Sequence, residues 1–358
     1  MSGPDSNSKQ SCFAGGWYSW GLARVLITGV AGFIGSHLAR ALVERRDEVR
    51  GFDNFSTGKR ENLAGLADCC PEVVAGRDPR SENPDLGHLV GGGFELMEGD
   101  LRDAEAVRAA CEGVEFVLHL GALPSVPRSV REPRASHEAN IDGTFNVLEA
   151  ARTEGVRRVV YAGSSSAYGN QPGFPRRETM TPQPIAPYPV QKLAGELYMQ
   201  SYWRVYGLET VCLRYFNIFG PRQTPDSPYS GVVAKWIVQM MRGEQPAIFG
   251  DGEQGRDFTY VENAVWANLL ALEAPAEKVA GRVFNIACGE RHTLNEMVAV
   301  LSELTGYAGG VRYGAERVGD VRDSLADVSA AREAMGYVPV VGFREGLRRT
   351  VEWHKDSG

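Results

Sequence analysis

Short apolar runs alternate with segments of helical periodicity from residue 24 to about residue 216. The apolar runs have the length of strands, whereas the periodic segments space their apolar residues three and four positions apart. Strands separated by helices of this length indicate βαβ units in a parallel sheet that is covered on both faces. The predicted strands are 24–28, 48–53, 94–98, 114–120, 156–164 and 208–216. The predicted helices are 33–46, 103–112, 136–153 and 188–206.

The pattern changes in three places. Residues 1–22 lack the basic start and continuous apolar run of a signal peptide, and we expect a flexible leader there. Residues 69–93 are rich in proline, glycine and charge, which predicts a long excursion rather than a core element. From about residue 217 turns multiply and the elements shorten, which indicates a smaller mixed lobe. The predicted fold class is therefore α/β, with a doubly wound parallel sheet and a second, smaller lobe.

Composition and charge exclude several classes of protein. The 358 residues are 43% hydrophobic and 23% charged, which is an ordinary globular balance. The net charge of −7 and the lack of a basic run in the sequence argue against nucleic-acid binding. No apolar stretch of the ~18 residues needed to span a membrane occurs in the sequence, and we expect a cytoplasmic protein.

The cysteines are predicted to be free thiols. No two of them have CxxC spacing, and no histidine lies near them at the spacing of metal ligands. We therefore expect neither a disulfide frame nor a metal site from Cys12, Cys69, Cys70, Cys111, Cys212 and Cys288.

The first predicted strand leads into a glycine-rich turn, TGVAGFIGSHL, in which Gly29, Gly32 and Gly35 have GxxGxxG spacing. Glycines let the backbone approach a pyrophosphate, and the helix that follows offers free N–H groups to the anion. The second strand ends at Asp53, and a carboxylate there binds an adenosine ribose diol and repels a 2′-phosphate, which favours NAD over NADP. Asp100 follows the next strand and either reaches the adenine edge or caps a helix.

Tyr188 and Lys192 begin a predicted helix and share one of its faces at spacing i, i+4. A tyrosine with a pKa of ~10 is a poor base at neutral pH, but a lysine cation and an oxidised nicotinamide favour its phenolate. Such a phenolate takes a hydroxyl proton during hydride transfer. The serines 164–166 follow another strand, at the sheet edge where doubly wound folds bind ligands. The alternative is a serine-rich turn and two exposed helix residues.

Together these motifs resemble the extended short-chain dehydrogenase/reductase family. The resemblance continues through LRYFNIFGPRQ, AIFGDGEQGRDFTYVEN and RVGDVRDSLAD, and so covers about residues 24–354. Within the family the chain is similar to UDP-hexose 4-epimerases, especially those of UDP-N-acetylglucosamine. The resemblance implies a Rossmann-type NAD-binding domain at 23–216 with returning segments near 250–290, and a discontinuous nucleotide-sugar lobe at 217–358.

The resemblance also implies roles for single residues. Tyr188 is the base, Lys192 binds the nicotinamide ribose, and Ser164 binds the sugar 4-hydroxyl with Ser165 and Ser166 beside it. The implied NAD-binding residues further include Gly29, Gly32, Phe33, Ile34, Gly35, Asp53, Asn54, Ser56, Thr57, Gly58, Asp100, Leu101, Leu120, Gly121, Ala122, Asn140 and Tyr215. The implied substrate-binding residues further include Ser125, Asn217, Val232, Ala247, Ile248, Phe249, Arg256, Arg317, Asp320 and Ser324.

Some of these assignments carry more detail. Residues 247–249 match a stretch that contacts uracil, and Arg256 and Arg317 match diphosphate-binding arginines, whose rigid donor fork suits phosphate oxygens. Tyr215 and Phe216 flank the nicotinamide. Most relatives carry alanine where this chain has Gly121, so the packing there is expected to differ slightly.

The implied reaction is a redox cycle without net redox change. The sugar C4 is oxidised to a transient 4-keto sugar, the sugar turns about its link to the diphosphate, and reduction on the other face gives the epimer. NAD is expected to stay bound between turnovers. The helices at 136–153 and 188–206 are expected to pair across a homodimer as a four-helix bundle.

Several alternatives stay open. Related dehydratases and decarboxylases carry an acidic residue near the serine position, where this chain has Ser165 and Ser166. UDP-glucuronate 4-epimerase remains a candidate because Arg128 or Arg222 can serve as a carboxylate-binding arginine. A non-catalytic NAD-binding scaffold is disfavoured by the intact Tyr188–Lys192 pair. By resemblance, epimerases restricted to plain hexoses carry a bulky tyrosine where this chain has Ser324, unless that serine only caps a helix turn.

Overall fold

The computed structural model describes residues 23–66, 88–91, 93–225, 232–316 and 322–357. The expected leader at 1–22, most of the excursion at 69–93, Arg317 and Asp320 lie outside the described residues. Cys111, Cys212 and Cys288 are free thiols, as expected. Within the described ranges, no helix combines the length and apolar character needed to cross a membrane.

The strands of the predicted sheet form where the apolar runs place them, and further short strands occur in the second half. In chain order the strands are β1 (Arg24–Thr28), β2 (Glu48–Asp53), β3 (His88–Gly91), β4 (Phe94–Glu98), β5 (Phe116–His119), β6 (Arg158–Ser164), β7 (Glu209–Tyr215), β8 (Ile218–Phe219), β9 (Ala247–Phe249), β10 (Gly255–Arg256), β11 (Thr259–Tyr260), β12 (Arg282–Ile286), β13 (His292–Thr293), β14 (Arg312–Gly314) and β15 (Asp323–Ser324).

The helices likewise include those that the periodicity predicts. They are α1 (Phe33–Glu44), α2 (Ala104–Cys111), α3 (Val126–Arg131), α4 (Pro133–His137), α5 (Gly143–Thr153), α6 (Pro187–Tyr206), α7 (Val232–Met241), α8 (Val261–Glu273), α9 (Ala276–Val279), α10 (Leu294–Thr305), α11 (Ser329–Met335) and α12 (Phe343–Ser357). A wide π turn, Glu138–Asp142, connects α4 to α5.

The main sheet has the strand order β12-β7-β6-β5-β1-β2-β4-β3. All its pairings are parallel except that of β3 with β4. Chain order reverses between β1 and β5, so ligands are expected at the carboxyl ends of these strands. The predicted doubly wound α/β fold is thus confirmed. Residues 88–91 correct one prediction, because this part of the expected excursion forms the edge strand β3.

Side chains alternate between the two covered faces of this sheet. In β1, Val25 and Ile27 join a core with α1 and α8, whereas Leu26 joins a second core with α2 and α5. Both faces are therefore buried, which explains why central strands such as β1 (RVLIT) and β5 (FVLH) read as nearly continuous apolar runs.

A smaller group of elements packs beside the carboxyl edge of the main sheet. It contains the small sheets β13-β10-β15, β11-β8 and β14-β9. Helices α7, α10 and α12 contribute Trp236, Leu301 and Leu347 to its core. The chain returns to the main sheet at β12, which pairs with β7. The exact domain boundaries stay a prediction.

Candidate active site

The glycine-rich turn lies between β1 and α1 in close contact with the segment after β5. Gly29 adopts a left-handed conformation with φ of 71°, and a Cβ there would lie 2.8 Å from the Cα and N of Gly121. A Cβ at Gly35 would lie 2.2 Å from the carbonyl oxygen of Gly29. Among the described residues no side chain caps the helix start at Gly32, so the N–H groups of Phe33 and Ile34 remain available to an anion.

Asp53 connects the glycine turn to the loop that follows β2. Its two carboxylate oxygens accept hydrogen bonds from the backbone N–H groups of Ala31, at 2.9 Å, and Phe55, at 2.8 Å. Burial raises the pKa of this carboxyl above its ordinary value. Gly58 lies against it, because a Cβ there would be 3.0 Å from Asp53 Oδ2. A carboxylate has about four acceptor sites, so Asp53 keeps acceptor capacity for a ribose hydroxyl. Ser56 and Thr57 are exposed on the same loop.

Asp100 lies next to this loop. Its carboxylate accepts hydrogen bonds from Asn54 Nδ2 at 2.8 Å and from the guanidinium of Arg102. The Arg102 hydrogen bonds lower the pKa of Asp100 to about 2. The helix cap of α2 is Asp103 and not Asp100, which removes the cap alternative. Asp100 is therefore an ionised group beside Asn54, at the end of the site where an adenine edge is expected.

The contact with Leu101 explains why glycine, and not the alanine of most relatives, stands at position 121. A Cβ at position 121 would lie 2.7 Å from Leu101 Cδ1, so alanine at this position requires Leu101 to move. Leu120 and Ala122 flank Gly121 in the segment that faces the glycine turn. Asn140 holds the next residue of that segment from both sides, because its amide accepts from Leu123 N at 2.7 Å and donates to Leu123 O at 3.0 Å.

Tyr188, Lys192 and Ser164 come together at the carboxyl end of β6. Lys192 is buried, and its Nζ donates to the carbonyl of Ala162 at 3.0 Å. Burial raises the pKa of Tyr188 to about 12, and the hydrogen bond with the Ser164 side chain opposes this shift. Burial also lowers the pKa of Lys192 to about 8. The ammonium of Lys192 alone therefore does not bring the phenol into the neutral range.

The serine cluster forms one turn after β6. Ser164 Oγ lies 2.7 Å from Ser166 Oγ and also accepts from the N–H of Ser166 at 3.3 Å. Ser165 lies between them in the turn. The hydroxyl of Ser164 is therefore held between Ser166 and Tyr188.

A buried ion pair behind Lys192 was not predicted from the sequence. Glu196 lies one turn beyond Lys192 on α6, and its carboxylate accepts from Arg214 at 2.7–3.0 Å. The charge of Glu196 opposes the burial effect on the pKa of Lys192. The i, i+4, i+8 spacing of Tyr188, Lys192 and Glu196 on one helix face is a signal that could have revealed Glu196, but it does not point to Arg214.

Tyr215, Phe216 and Asn217, at the end of β7, each contact a different part of the structure. Tyr215 is buried, and its hydroxyl accepts from Asn268 Nδ2 at 2.6 Å. Phe216 packs in the core beside Tyr168. Asn217 has a positive φ of 38° and donates from Nδ2 to the carbonyl of Asp257 at 3.2 Å.

A cavity of about 200 Å³ lies in the smaller lobe. Val232 comes from α7, and Ala247, Ile248 and Phe249 come from β9, so the structure brings the four predicted residues into one lining. The aromatic ring of Trp236 and the amide of Gln254 also line it. Apolar walls with a few polar groups suit a planar heterocycle.

Arg256 and Ser324 are paired across the parallel strands β10 and β15. Arg256 Nη1 donates to the carbonyl oxygens of Gly255, at 2.9 Å, and Arg322, at 3.0 Å. Asp257 is buried and binds the N–H groups of Cys288, Gly289 and Ala326. Ser125 is the N-cap of α3, with φ of 99°, and Ser129 of the same helix accepts from Tyr188 N at 3.0 Å.

Comparison with known proteins agrees with this geometry. Residues 25–287 match the model of the NAD dependent epimerase/dehydratase family. The chain is 35% identical over 336 residues to the UDP-glucose 4-epimerase of Mycolicibacterium smegmatis, and the aligned region covers 93% of this chain and 99% of that relative.

Solved structures show the same fold. The UDP-glucose 4-epimerase of Thermotoga maritima with UDP-glucose superposes with a TM-score of 0.82 at 37% identity, covering 93% of this chain and 99% of that one. The UDP-N-acetylglucosamine 4-epimerase of Methanobrevibacter ruminantium with UDP-N-acetylmuramic acid also gives 0.82 at 37% identity, covering 94% and 99%. The chain therefore belongs to the NAD-dependent epimerase/dehydratase family and is an extended short-chain dehydrogenase/reductase enzyme with NAD as its cofactor.

Proposed function

We propose that the chain is a UDP-sugar 4-epimerase that interconverts UDP-N-acetylglucosamine and UDP-N-acetylgalactosamine, or UDP-glucose and UDP-galactose. The observation that carries the proposal is the joint placement of Tyr188, Lys192 and Ser164 at the carboxyl end of β6. The similarity to two epimerases, one with UDP-glucose and one of UDP-N-acetylglucosamine, supports the UDP-sugar class.

The residues of the NAD site fit the cofactor. A Cβ at Gly29 or Gly35 would clash with the backbone around the start of α1, so only glycine allows this close turn, and the carboxylate of Asp53 lies against the same turn through the N–H of Ala31. When bound, NAD supplies the two-electron oxidation of the sugar C4 and the later reduction.

The chain's own residues manage the proton. Tyr188 takes the proton of the 4-hydroxyl, and Ser164, which hydrogen-bonds the Tyr188 side chain, holds that hydroxyl in line. Because burial raises the pKa of Tyr188 to about 12, positive charge must stabilise the phenolate. Lys192, fixed by the Ala162 carbonyl, contributes one such charge. A second would come from the oxidised nicotinamide when NAD is bound. The proton returns from Tyr188 after the keto sugar has turned.

This cycle needs a firm hold on the nucleotide and a looser hold on the sugar. The cavity lined by Val232 and residues 247–249 is suited to uracil, and Arg256 is suited to the diphosphate. Around the sugar, small side chains such as Ser125 and Ser324 leave room for rotation.

Serines at positions 165 and 166 argue against the dehydratase and decarboxylase alternatives. Ser166 Oγ is 2.7 Å from Ser164 Oγ, and neither group serves as a carboxyl acid for a second proton transfer. For UDP-glucuronate, Arg128 is the better candidate partner of the carboxylate, because its helix α3 also carries Ser129, whose hydroxyl accepts from Tyr188 N at 3.0 Å. Arg222 lies beside His37 of α1.

We also propose a homodimer formed through α5 and α6. Helix α6 carries five large apolar side chains that this single chain leaves exposed and α5 carries one, and the rings of Phe145 and Tyr198 contact each other across the two helices with centroids 5.9 Å apart. Burial of such a patch in a partner is the usual reason for its presence. The exposed residues are Phe145, Val190, Leu197, Tyr198, Val205 and Tyr206.

The deciding experiment is a substrate panel with UDP-glucose, UDP-N-acetylglucosamine and UDP-glucuronate, followed by NMR of the anomeric proton. The proposal expects the C4 epimer of the acetylated or plain hexose with unchanged mass. Turnover of UDP-glucuronate alone would select the carboxylated substrate instead. A mass change would indicate a decarboxylase or dehydratase, and unchanged substrates would indicate a binding protein.

A further inference from the structure

His119 lies at the carboxyl end of β5 and is completely buried between two threonines. Its Nδ1 lies 2.7 Å from Thr28 Oγ1, and its Nε2 lies 3.0 Å from Thr144 Oγ1. Thr28 and Thr144 are each only 1% exposed. Burial lowers the pKa of this imidazole to about 3, so the ring is neutral at any ordinary working pH. A neutral imidazole donates from one nitrogen and accepts at the other.

The neighbouring hydrogen bonds determine which nitrogen carries the proton. Thr144 Oγ1 donates to the carbonyl of Asn140 at 2.7 Å, so it must accept from His119 Nε2–H. The other nitrogen, Nδ1, is then the acceptor for the hydroxyl proton of Thr28. Thr28 Oγ1 in turn accepts from Gly121 N at 3.1 Å. Every donor in this series of hydrogen bonds has one acceptor, and the donors all point in the same direction, from Gly121 towards Asn140.

We call this series of hydrogen bonds from Gly121 to Asn140 the relay. Its two ends hold residues 121–123, the segment that faces the glycine turn. Gly121 is the residue of this segment whose N–H donates to Thr28, and a Cβ at Gly29 would lie 2.8 Å from Gly121. Asn140, at the other end, holds Leu123 through both N–H and carbonyl. Its Nδ2 also donates to Gln191 Oε1 at 2.8 Å, on the helix of the catalytic pair and directly before Lys192.

We propose that His119 is a positioning residue, which sets the segment 121–123 at a fixed distance from both the glycine turn and α6. The inference rests on the proposed function, because it concerns the alignment of the cofactor segment with Tyr188. Misplacement of reacting groups by ~1 Å can cost ~10²-fold in rate. The relay therefore acts on turnover and on NAD retention rather than on the binding of the UDP-sugar, whose cavity lies in the other lobe.

The test is a double-mutant cycle on the holoenzyme with Thr28→Val, Thr144→Val and the double variant. Each single change is expected to lower kcat by ~3–10-fold, to leave the KM for the UDP-sugar within ~2-fold, and to speed the loss of NAD from purified protein. Because either change breaks the same relay, the double variant is expected to be no worse than the worse single variant. Bound NAD is measured in protein denatured after timed dialysis.

Thr350→Val is the matched control. Thr350 is also 1% exposed and donates to a helix carbonyl, Gly346 O, at 2.7 Å, but it lies in α12. It is expected to leave kcat and NAD retention unchanged. His119→Phe breaks the relay at its centre and should match the double variant; if it does not fold, the threonine cycle decides.

The inference is overturned if the effects of Thr28→Val and Thr144→Val multiply in the double variant, or if Thr350→Val produces the same losses. A wild-type protein that epimerises no UDP-sugar refutes the proposed function instead. In that case the NAD-retention arm of the cycle still tests the relay.

Discussion

The ammonium group of Lys192 on α6 donates a hydrogen bond to the carbonyl of Ala162 in β6, 3.0 Å away. This bond fixes the lysine beside the carboxyl end of the sheet, where the serine turn begins. It does not remove the cost of burying the charge, because the pKa of Lys192 stays lowered to about 8. The catalytic pair is therefore built from two groups whose burial disfavours the charged forms that catalysis requires.

Lys192→Met is expected to stabilise the protein while reducing turnover by ~10²-fold or more. The folded pKa of about 8 lies below the ordinary value of 10.5. Below pH 8 Lys192 is protonated in both the folded and the unfolded protein. The lowered pKa of the folded protein then corresponds to a burial cost of ~3 kcal/mol, at ~1.36 kcal/mol per pKa unit. Loss of the Ala162 contact offsets part of the gain, which leaves ~1–3 kcal/mol at pH 7.

The pH dependence of that difference follows from proton linkage. Between pH 8 and 10.5 the unfolded chain holds a proton that the folded one has released, so wild-type stability rises with pH relative to the variant. Denaturant unfolding at several pH values should show the advantage of Lys192→Met shrinking over this window. Exposed Lys278→Met provides the control, with no such trend expected. A Lys192→Met protein that is less stable than wild type at pH 7 contradicts this account.

Tyr188→Phe tests the base. The ring remains and only the hydroxyl is lost, so the fold and NAD content should survive while kcat falls by ~10²-fold or more. Steady-state kinetics on NAD-loaded protein, with NAD quantified in the same samples, provides the measurement. Unchanged turnover would remove Tyr188 from its assigned role.

Asp53 tests the cofactor choice. Purified protein should release NAD on denaturation, and Asp53→Ala should lower the NAD content because it removes the ribose acceptor and frees the N–H groups of Ala31 and Phe55. Asp53→Asn, which keeps one acceptor oxygen, should fall between the two. Chromatography of the released nucleotide is the measurement, and NADP as the copurified species would overturn the role of Asp53.

Six strands of the main sheet were predictable because strands buried on both faces read as short apolar runs, and the helices between them, buried on one face, leave a periodic signal in the sequence. Strand β12, which returns to the sheet from the smaller lobe, was not among the predicted strands. The strands of the smaller lobe were not, because β10 and β15 are two residues long and too short for any period. Strand β3 was assigned to an excursion because it lies at the edge of the sheet beside glycine-rich sequence.

The same limit applies to the site. The Tyr188–Lys192 pair is visible because both residues lie on one helix, one turn apart. By contrast, His119 and Thr28 are 91 positions apart and meet only after β1 and β5 have paired. Glu196 and Arg214 likewise meet through the packing of α6 on β7. Contacts of this kind depend on the fold, and a single sequence carries no local pattern for them.

The proposed dimer predicts that Leu197→Glu yields a monomer. Leu197 is 58% exposed on α6, and a carboxylate placed in an apolar interface would be buried without a partner. Light scattering of the purified protein gives the mass in solution. Val338→Glu is the control, since Val338 is similarly exposed at 51% but lies outside α5 and α6. A wild-type monomer, or a Leu197→Glu protein with wild-type mass, refutes the proposed interface.

Ser324 is expected to set the size of the sugar that the site accepts. Ser324 is paired with Arg256 across β10 and β15, which places it beside the proposed diphosphate site. A serine leaves space for an N-acetyl group as the sugar turns, whereas a tyrosine would fill it, and overpacking costs ~1–3 kcal/mol or blocks binding outright. Wild type is therefore expected to interconvert UDP-N-acetylglucosamine and UDP-N-acetylgalactosamine.

Ser324→Tyr should lose that activity while keeping some turnover of UDP-glucose or UDP-galactose. Ser324→Ala is the matched control, because it removes the hydroxyl without adding volume and should retain acetylated substrates. The ratio of kcat/KM for acetylated and plain sugars is the quantity to compare, since it cancels any general loss of active protein. If Ser324→Tyr keeps the wild-type ratio, the residue does not limit sugar size. If wild type ignores acetylated sugars and epimerises UDP-glucuronate, the proposed substrate is wrong and the carboxylated sugar replaces it.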